Sequence, residues 1–170
     1  EGFEVAVEVD VLKGLPRIDM TGLPDAAVKE AKDRMSSALT NSGFAFPERH
    51  LIINLAPGDR RKTGPVYDLP ILIGTLKATG QLRADTDGFA FFGETALDGS
   101  LRPVKGALPM AIQAREAGLQ AVFLPEANGP ECAVLTDIDI YPAASLRQVT
   151  DHLEGKARLK KTPPPPPGEE

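Results

Sequence analysis

Ile53 to Gly74 reads INLAPGDRRKTGPVYDLPILIG, and two kinds of element meet within it. Leu51 to Leu55 is an apolar run of strand length, and Pro57 to Thr63 is a polar, turn-rich loop. Leu69 to Ala78 is apolar nearly all round, which predicts a buried helix with Pro70 tolerated in its first turn. Leu72 and Leu76 are therefore expected to be shielded from solvent. A strand leading through a loop into a buried helix is half of a layered α/β arrangement.

The flanking sequence extends the alternation. Upstream, Glu4 to Val11 reads EVAVEVDV, strict period two in β-branched residues, which predicts a half-buried strand. Lys13 to Pro16 turns the chain, and Arg17 to Met20 reads as a second strand. From Asp25, a plausible N-cap, Val28, Ala31, Met35, Ala38 and Leu39 recur at helical spacing until Gly43. Downstream, Phe89 to Thr95 reads as a strand, and Asp98-Gly99 is a strong hairpin signal returning through Leu101 to Val104. Helices are predicted over Ala107 to Ala117, Glu131 to Leu135 and Ser145 to Leu153, with strands over Ala121 to Leu124 and Asp137 to Tyr141. Hairpins mixed with crossovers predict α+β, or α/β with a mixed sheet, the helices lying chiefly on one side.

Composition narrows the function classes. Nineteen Lys and Arg against twenty-four Asp and Glu leave a net charge of −5, which argues against coating nucleic acid by bulk charge. One Cys (Cys132) and two His (His50, His152) exclude a disulfide framework and any zinc site built from this chain alone. No apolar run reaches membrane-spanning length and no signal peptide is visible, so a soluble, cytoplasmic chain without membrane contact is expected. Beyond Gly155, four positive charges between Lys156 and Lys161 precede five prolines, which cannot pack a core. Residues 1–154 are thus expected as one folded domain and 155–170 as a basic, then proline-rich, linker to a further domain.

Strong catalytic motifs are missing: no G-x-x-x-x-G-K-[ST], G-x-S-x-G, H-E-x-x-H or C-x-x-C occurs. Three stretches still carry candidates. Arg60, Arg61 and Lys62 precede a helix start, where free N–H groups favour an anion, so they are candidate nucleic-acid contacts. Asp68 would take those N–H groups and repel phosphate, and a solvated charge run is the plain alternative. Lys105 follows the hairpin and is a candidate at a pocket rim, or simply a surface lysine. Gly22 to Asp25 reads as a helix start, and Lys29, Glu30, Lys32, Asp33 and Arg34 as a solvated face. Cys132 reads as a small buried residue.

Three segments make the chain recognisable: Val7 to Pro47, Ile53 to Gly74, and Phe92 to Gly118, which reads FGETALDGSLRPVKGALPMAIQAREAG. In this order they resemble the N-terminal domain of the ComM/YifB family of magnesium-chelatase-like AAA+ ATPases, from about Gly2 to Leu153. The resemblance implies the ribosomal protein S5 domain 2-like fold, shared with the Lon protease domain. It also implies attachment to an AAA+ motor that uses ATP and Mg, assembles as a homo-oligomer (a hexamer), and processes DNA by branch migration in natural transformation. Lon-type peptidases need a serine in the turn matching Thr63 to Asp68 and a lysine on the helix matching Ala107 onward. Here Val66 takes the serine's place and Leu108 the lysine's, with Lys105 three residues early. The resemblance therefore implies a Lon-like scaffold without the dyad: no catalytic residue, metal or cofactor in this domain. Two alternatives stay open: an adaptor that binds protein and not DNA, or a residual hydrolase pairing Lys105 with a serine such as Ser100.

Overall fold

The computed structural model describes residues 6–56, 58 and 64–163. Strand β1 is Ala6–Leu12, in which Val7, Val9 and Val11 turn inward while Glu8 and Asp10 face solvent, as the period-two pattern requires. Strand β2 is Arg17–Thr21. The predicted helix after Asp25 is two helices, α1 (Ala26–Lys29) and α2 (Ala31–Asn41). The break falls at Glu30, whose carbonyl accepts Asp33 N at 3.0 Å in a tighter, three-residue turn. Strand β3 is His50–Ala56, with Leu51, Ile53 and Leu55 fully buried.

β1, β3 and β2 form one sheet in that order, with β3 antiparallel to β1 and parallel to β2. β1 and β2 are adjacent in sequence, yet the most apolar strand lies between them. Burial decides the order: Leu51-Ile52-Ile53 has the most to gain from a position paired on both sides.

A short 3-10 turn, Pro65–Tyr67, leads into α3, Asp68–Ala78. Leu69, Leu72 and Leu76 are completely buried, as predicted. The predicted strand from Phe89 to Thr95 is interrupted: β4 is Phe89–Phe91 and β5 is Glu94–Thr95. Gly93 between them bonds α3's entrance instead of a strand, its N–H to Val66 O and its carbonyl to Leu69 N, both 3.0 Å. β5 pairs antiparallel with β6, Leu101–Arg102, through the expected Asp98-Gly99 turn. Gly99 has φ +89°, and a Cβ there would approach Ser42 Oγ to 2.4 Å.

Helix α4 is Ala107–Glu116, β7 is Ala121–Pro125, α5 is Gly129–Cys132, β8 is Asp139–Ala143 and α6 is Leu146–Leu153. β4, β7 and β8 form a second sheet, all parallel, with β7 central. Every residue of β7 is buried. Ala121 and Phe123 face the main core with α3 and α6, while Val122 and Leu124 face a second cluster with α4 and α5. The expectation of one mixed sheet with helices chiefly on one side is thus corrected. Among the described residues there are three sheets, and the parallel one is covered on both faces. Mixed α/β architecture with parallel and antiparallel pairing holds.

Phe123 stacks between Phe91 and Tyr141, at centroid distances of 5.2 and 5.0 Å, and meets His152 edge-on at 5.4 Å. Behind α6 the chain folds back along β8. Leu159, half-buried, packs against the main core, Leu159 N donates to His152 Nδ1 (2.9 Å) and Thr162 N to Ile140 O (2.8 Å). Part of the stretch read as linker therefore lies against the domain, while residues 164–170 are outside the described residues.

Candidate functional site

The candidate basic triad, Arg60, Arg61 and Lys62, lies outside the described residues; the frame that holds its loop does not. On the entry side, Gly22 (φ +99°) presses against the end of β3. A Cβ at Gly22 would fall 1.9 Å from Leu55 O, so only glycine allows this approach. On the exit side, Asp25 does two jobs. Its Oδ1 accepts Val28 N at 2.8 Å, the expected cap of α1, and its Oδ2 accepts Gly64 N at 3.2 Å. The segment from Gly22 to Asp25, read as a helix start alone, thus touches both ends of the candidate loop.

Asp68 departs from its expected role. It is buried, and its oxygens do not cap α3. Oδ1 accepts Arg34 Nη2 at 2.7 Å, while Oδ2 accepts Arg34 Nε at 2.9 Å and Thr95 N at 3.0 Å. Burial pushes the Asp68 carboxyl above the ordinary carboxylate range, against the pull of Arg34 and Thr95. The hydrogen-bonded carboxylate in turn holds Arg34 charged. The bidentate fork makes this an ion pair, and it corrects the reading of Arg34 as part of a solvated face. Lys29 on the same stretch is exposed, as expected.

These contacts change what the start of α3 can do. The Leu69 N–H is already spent on Gly93 O, and a buried carboxylate sits in the first turn. A phosphate seated on this helix start would meet both.

The remaining candidates are dispersed. Val66 is half-buried in the turn before α3, and its carbonyl accepts Gly93 N. Leu108 is in the first turn of α4 and packs on the second core cluster. Lys105 is exposed in the turn before α4. Ser100 donates its hydroxyl to Asp98 Oδ1 at 2.7 Å within its own hairpin. Cys132 is fully buried, and burial pushes its thiol up to about 11, so it is inert packing. Among the described residues no cluster of three His, Cys, Asp or Glu could hold a metal ion. No helix among them is long and apolar enough to cross a membrane.

Residues 7–128 match the family model described as subunit ChlI of Mg-chelatase. The chain belongs to the ChlI, magnesium-chelatase-like family. Within it, the chain is 42% identical over 161 residues to the protein YifB of Escherichia coli, covering 94% of this chain and 32% of that protein. It is 40% identical over 156 residues to the competence protein ComM of Haemophilus influenzae, covering 91% and 30%. These are the ChlI-family relatives that the three sequence segments pointed to. The chain spans about a third of the length of these relatives. More distantly, it is 29% identical over 160 residues to the Lon protease of Mycolicibacterium smegmatis, covering 88% of this chain and 20% of that protein.

Sequence reasoning missed Arg34 and the second role of Asp25. Both bridge segments more than thirty residues apart, and nothing local marks such partners.

Proposed function

We propose that this ChlI-family domain is a noncatalytic, DNA-engaging module of a longer magnesium-chelatase-like AAA+ protein. Its fold is read as ribosomal protein S5 domain 2-like, with the Lon dyad positions filled by Val66 and Leu108. ATP and Mg belong to a motor elsewhere in the full-length protein, which assembles as a hexamer and processes DNA in the cytoplasm. The residues of this domain do not fit either group, since a P-loop is missing from the sequence.

The observation that carries the reading is the fastening of one basic loop at both ends. Gly22 abuts its entry, Asp25 bonds its exit, and the Arg34–Asp68 pair anchors the helix behind it. In this reading Arg60, Arg61 and Lys62 contact phosphates, and a ring multiplies weak contacts through avidity. The test is DNA binding by the full-length protein and by its R60A/R61A/K62A variant at two salt concentrations. The variant is expected to bind more weakly and with a shallower salt dependence, because fewer counterions are released. Equal binding at low salt overturns the DNA reading.

One observation favours a protein-binding adaptor instead. The outer face of the first sheet carries Glu8, Asp10 and Asp19 beside Arg17, which bonds Asp19 at 3.1 Å, and Asp19 is held below the ordinary carboxylate range chiefly by its bond to His50. An acidic sheet face repels DNA and suits a basic protein partner.

A further inference from the structure

From Gly155 to Pro163 the chain holds Lys156, Arg158, Lys160 and Lys161, and no Asp or Glu. A linker trailing in solvent would scatter these charges. Here the segment is a strap fastened to the domain. Leu159 packs against the main core and its N–H donates to His152 Nδ1 at 2.9 Å, while Thr162 N–H donates to Ile140 O of β8 at 2.8 Å.

The fastening sorts the side chains. Leu159 and Thr162 are half-buried, whereas Lys156, Arg158, Lys160 and Lys161 are all exposed. Carboxylates answer two of the four: Lys156 Nζ lies 3.0 Å from Glu154 Oε1, and Lys161 Nζ lies 3.4 Å from Asp139 Oδ1. Arg158 and Lys160 flank the Leu159 anchor, and among the described residues neither makes an ion pair or a side-chain hydrogen bond. On a chain of net charge −5, two unanswered cations held side by side reverse the local field and attract an anion.

We propose that the docked strap is a nucleic-acid contact, with Arg158 and Lys160 as its phosphate-binding residues. The proposal rests on the reading of the domain as DNA-engaging, and adds to the basic loop a second contact remote from it in sequence. Residues two apart in the chain lie at most about 7 Å from one another, so both cations reach neighbouring phosphates of one strand. Protein interfaces are built round an apolar, often aromatic centre, whereas nucleic-acid interfaces are polar and strongly positive. The strap is of the second kind. Its one leucine is turned inward, and the exposed large apolar residues, Leu12, Leu15, Leu23, Leu97 and Val134, all lie outside it. Cations already held in place also lose less freedom on binding than cations on a free tail.

The test is binding of a labelled DNA duplex by the full-length protein and its variants across a salt series. R158A/K160A is expected to bind at least about fivefold more weakly at low salt, with a log–log salt slope shallower by up to about 1.8, the counterions of two phosphates. Both side chains are exposed, so its thermal stability is expected to stay unchanged. L159S keeps every charge but removes the anchor, and is expected to lose part of the same affinity. Bound DNA is expected to shield Lys160 from acetylation, read by mass spectrometry, and to leave Lys13 in the turn after β1 unshielded. R158A/K160A binding like the unsubstituted protein, while R60A/R61A/K62A binds more weakly, overturns the strap and leaves the DNA reading standing. No binding by the unsubstituted protein at low salt overturns both. L159S at full affinity overturns the docked form, since a charged tail would then suffice. Poly-glutamate bound as tightly as DNA, and equally weakened in R158A/K160A, gives the strap to an acidic protein and overturns the nucleic-acid contact.

Discussion

Arg34 and Asp68 meet where water is largely excluded, and the energetic stakes of the pair follow from that. Removing one member leaves the other charged or frustrated in a low-dielectric setting, which costs more than the pair itself contributes. Arg34→Met is expected to destabilise the chain by about 3 kcal/mol in urea denaturation. The double variant R34M/D68L is expected to recover most of that loss, because apolar side chains of similar size replace a buried pair at little cost. A double variant as unstable as R34M would show that Asp68 matters for Thr95 rather than for Arg34. Neither partner was legible from the sequence. Arg34 sits in a run of alternating charges, which looks the same whether it faces water or a carboxylate 34 residues away. Asp25, by contrast, announced its cap through its place before an apolar helical period, though not its bond to Gly64.

At the scale of elements, the segment behind α6 depends on the state of one ring. His152 Nδ1 accepts Leu159 N, so the docked form needs that nitrogen unprotonated. Burial, and then Arg158, lower the pKa of His152 below its ordinary 6.5. A histidine with a depressed folded pKa contributes stability that is complete above 6.5 and is lost as pH falls through the folded value. Acidification is therefore expected to loosen Leu159 before the core melts, visible as a shift of its amide signal in NMR while the Phe123 amide stays put. A Leu159 amide that moves only with global unfolding would contradict this. Elements with a local cause were readable in advance: the period-two valines of β1, the apolar α3 and the Asp98-Gly99 hairpin. The break at Glu30, a local three-residue turn, left no mark in the helical period, and the interruption at Gly93 was set by tertiary contacts. Gly93 leaves its strand to bond Val66 and Leu69, partners chosen by the packing of α3.

For the whole molecule, the expected chemistry is none. The 170-residue chain is expected to show no ATP hydrolysis and no peptide cleavage, with coupled-enzyme and fluorogenic-peptide assays as the checks. Activity that disappears in K105A or S100A would instead establish a residual hydrolase. Ser100, bonded to Asp98 within its hairpin, and the exposed Lys105 give such an activity no prepared site. The mixed α/β class was legible from alternating patterns, but the division into separate sheets was not. Pairing between distant strands leaves no mark on either strand's own periodicity. The candidate loop was legible as a charge run, whereas its fastening at Gly22 and Asp25 emerges only when β2 and β3 lie side by side.

The stacking of Tyr141 on Phe123 has an optical consequence. The chain has no tryptophan and only two tyrosines, so its ultraviolet emission divides between two places. Tyr141 lies in the ring stack beside His152, 4.6 Å between centroids, and Tyr67 borders a groove above α3. Burial also pushes the Tyr67 hydroxyl above its ordinary range, so the two phenols differ in environment. Single Tyr→Phe replacements would separate their signals. The unlabelled protein would then report the C-terminal segment through one chromophore and the groove through the other.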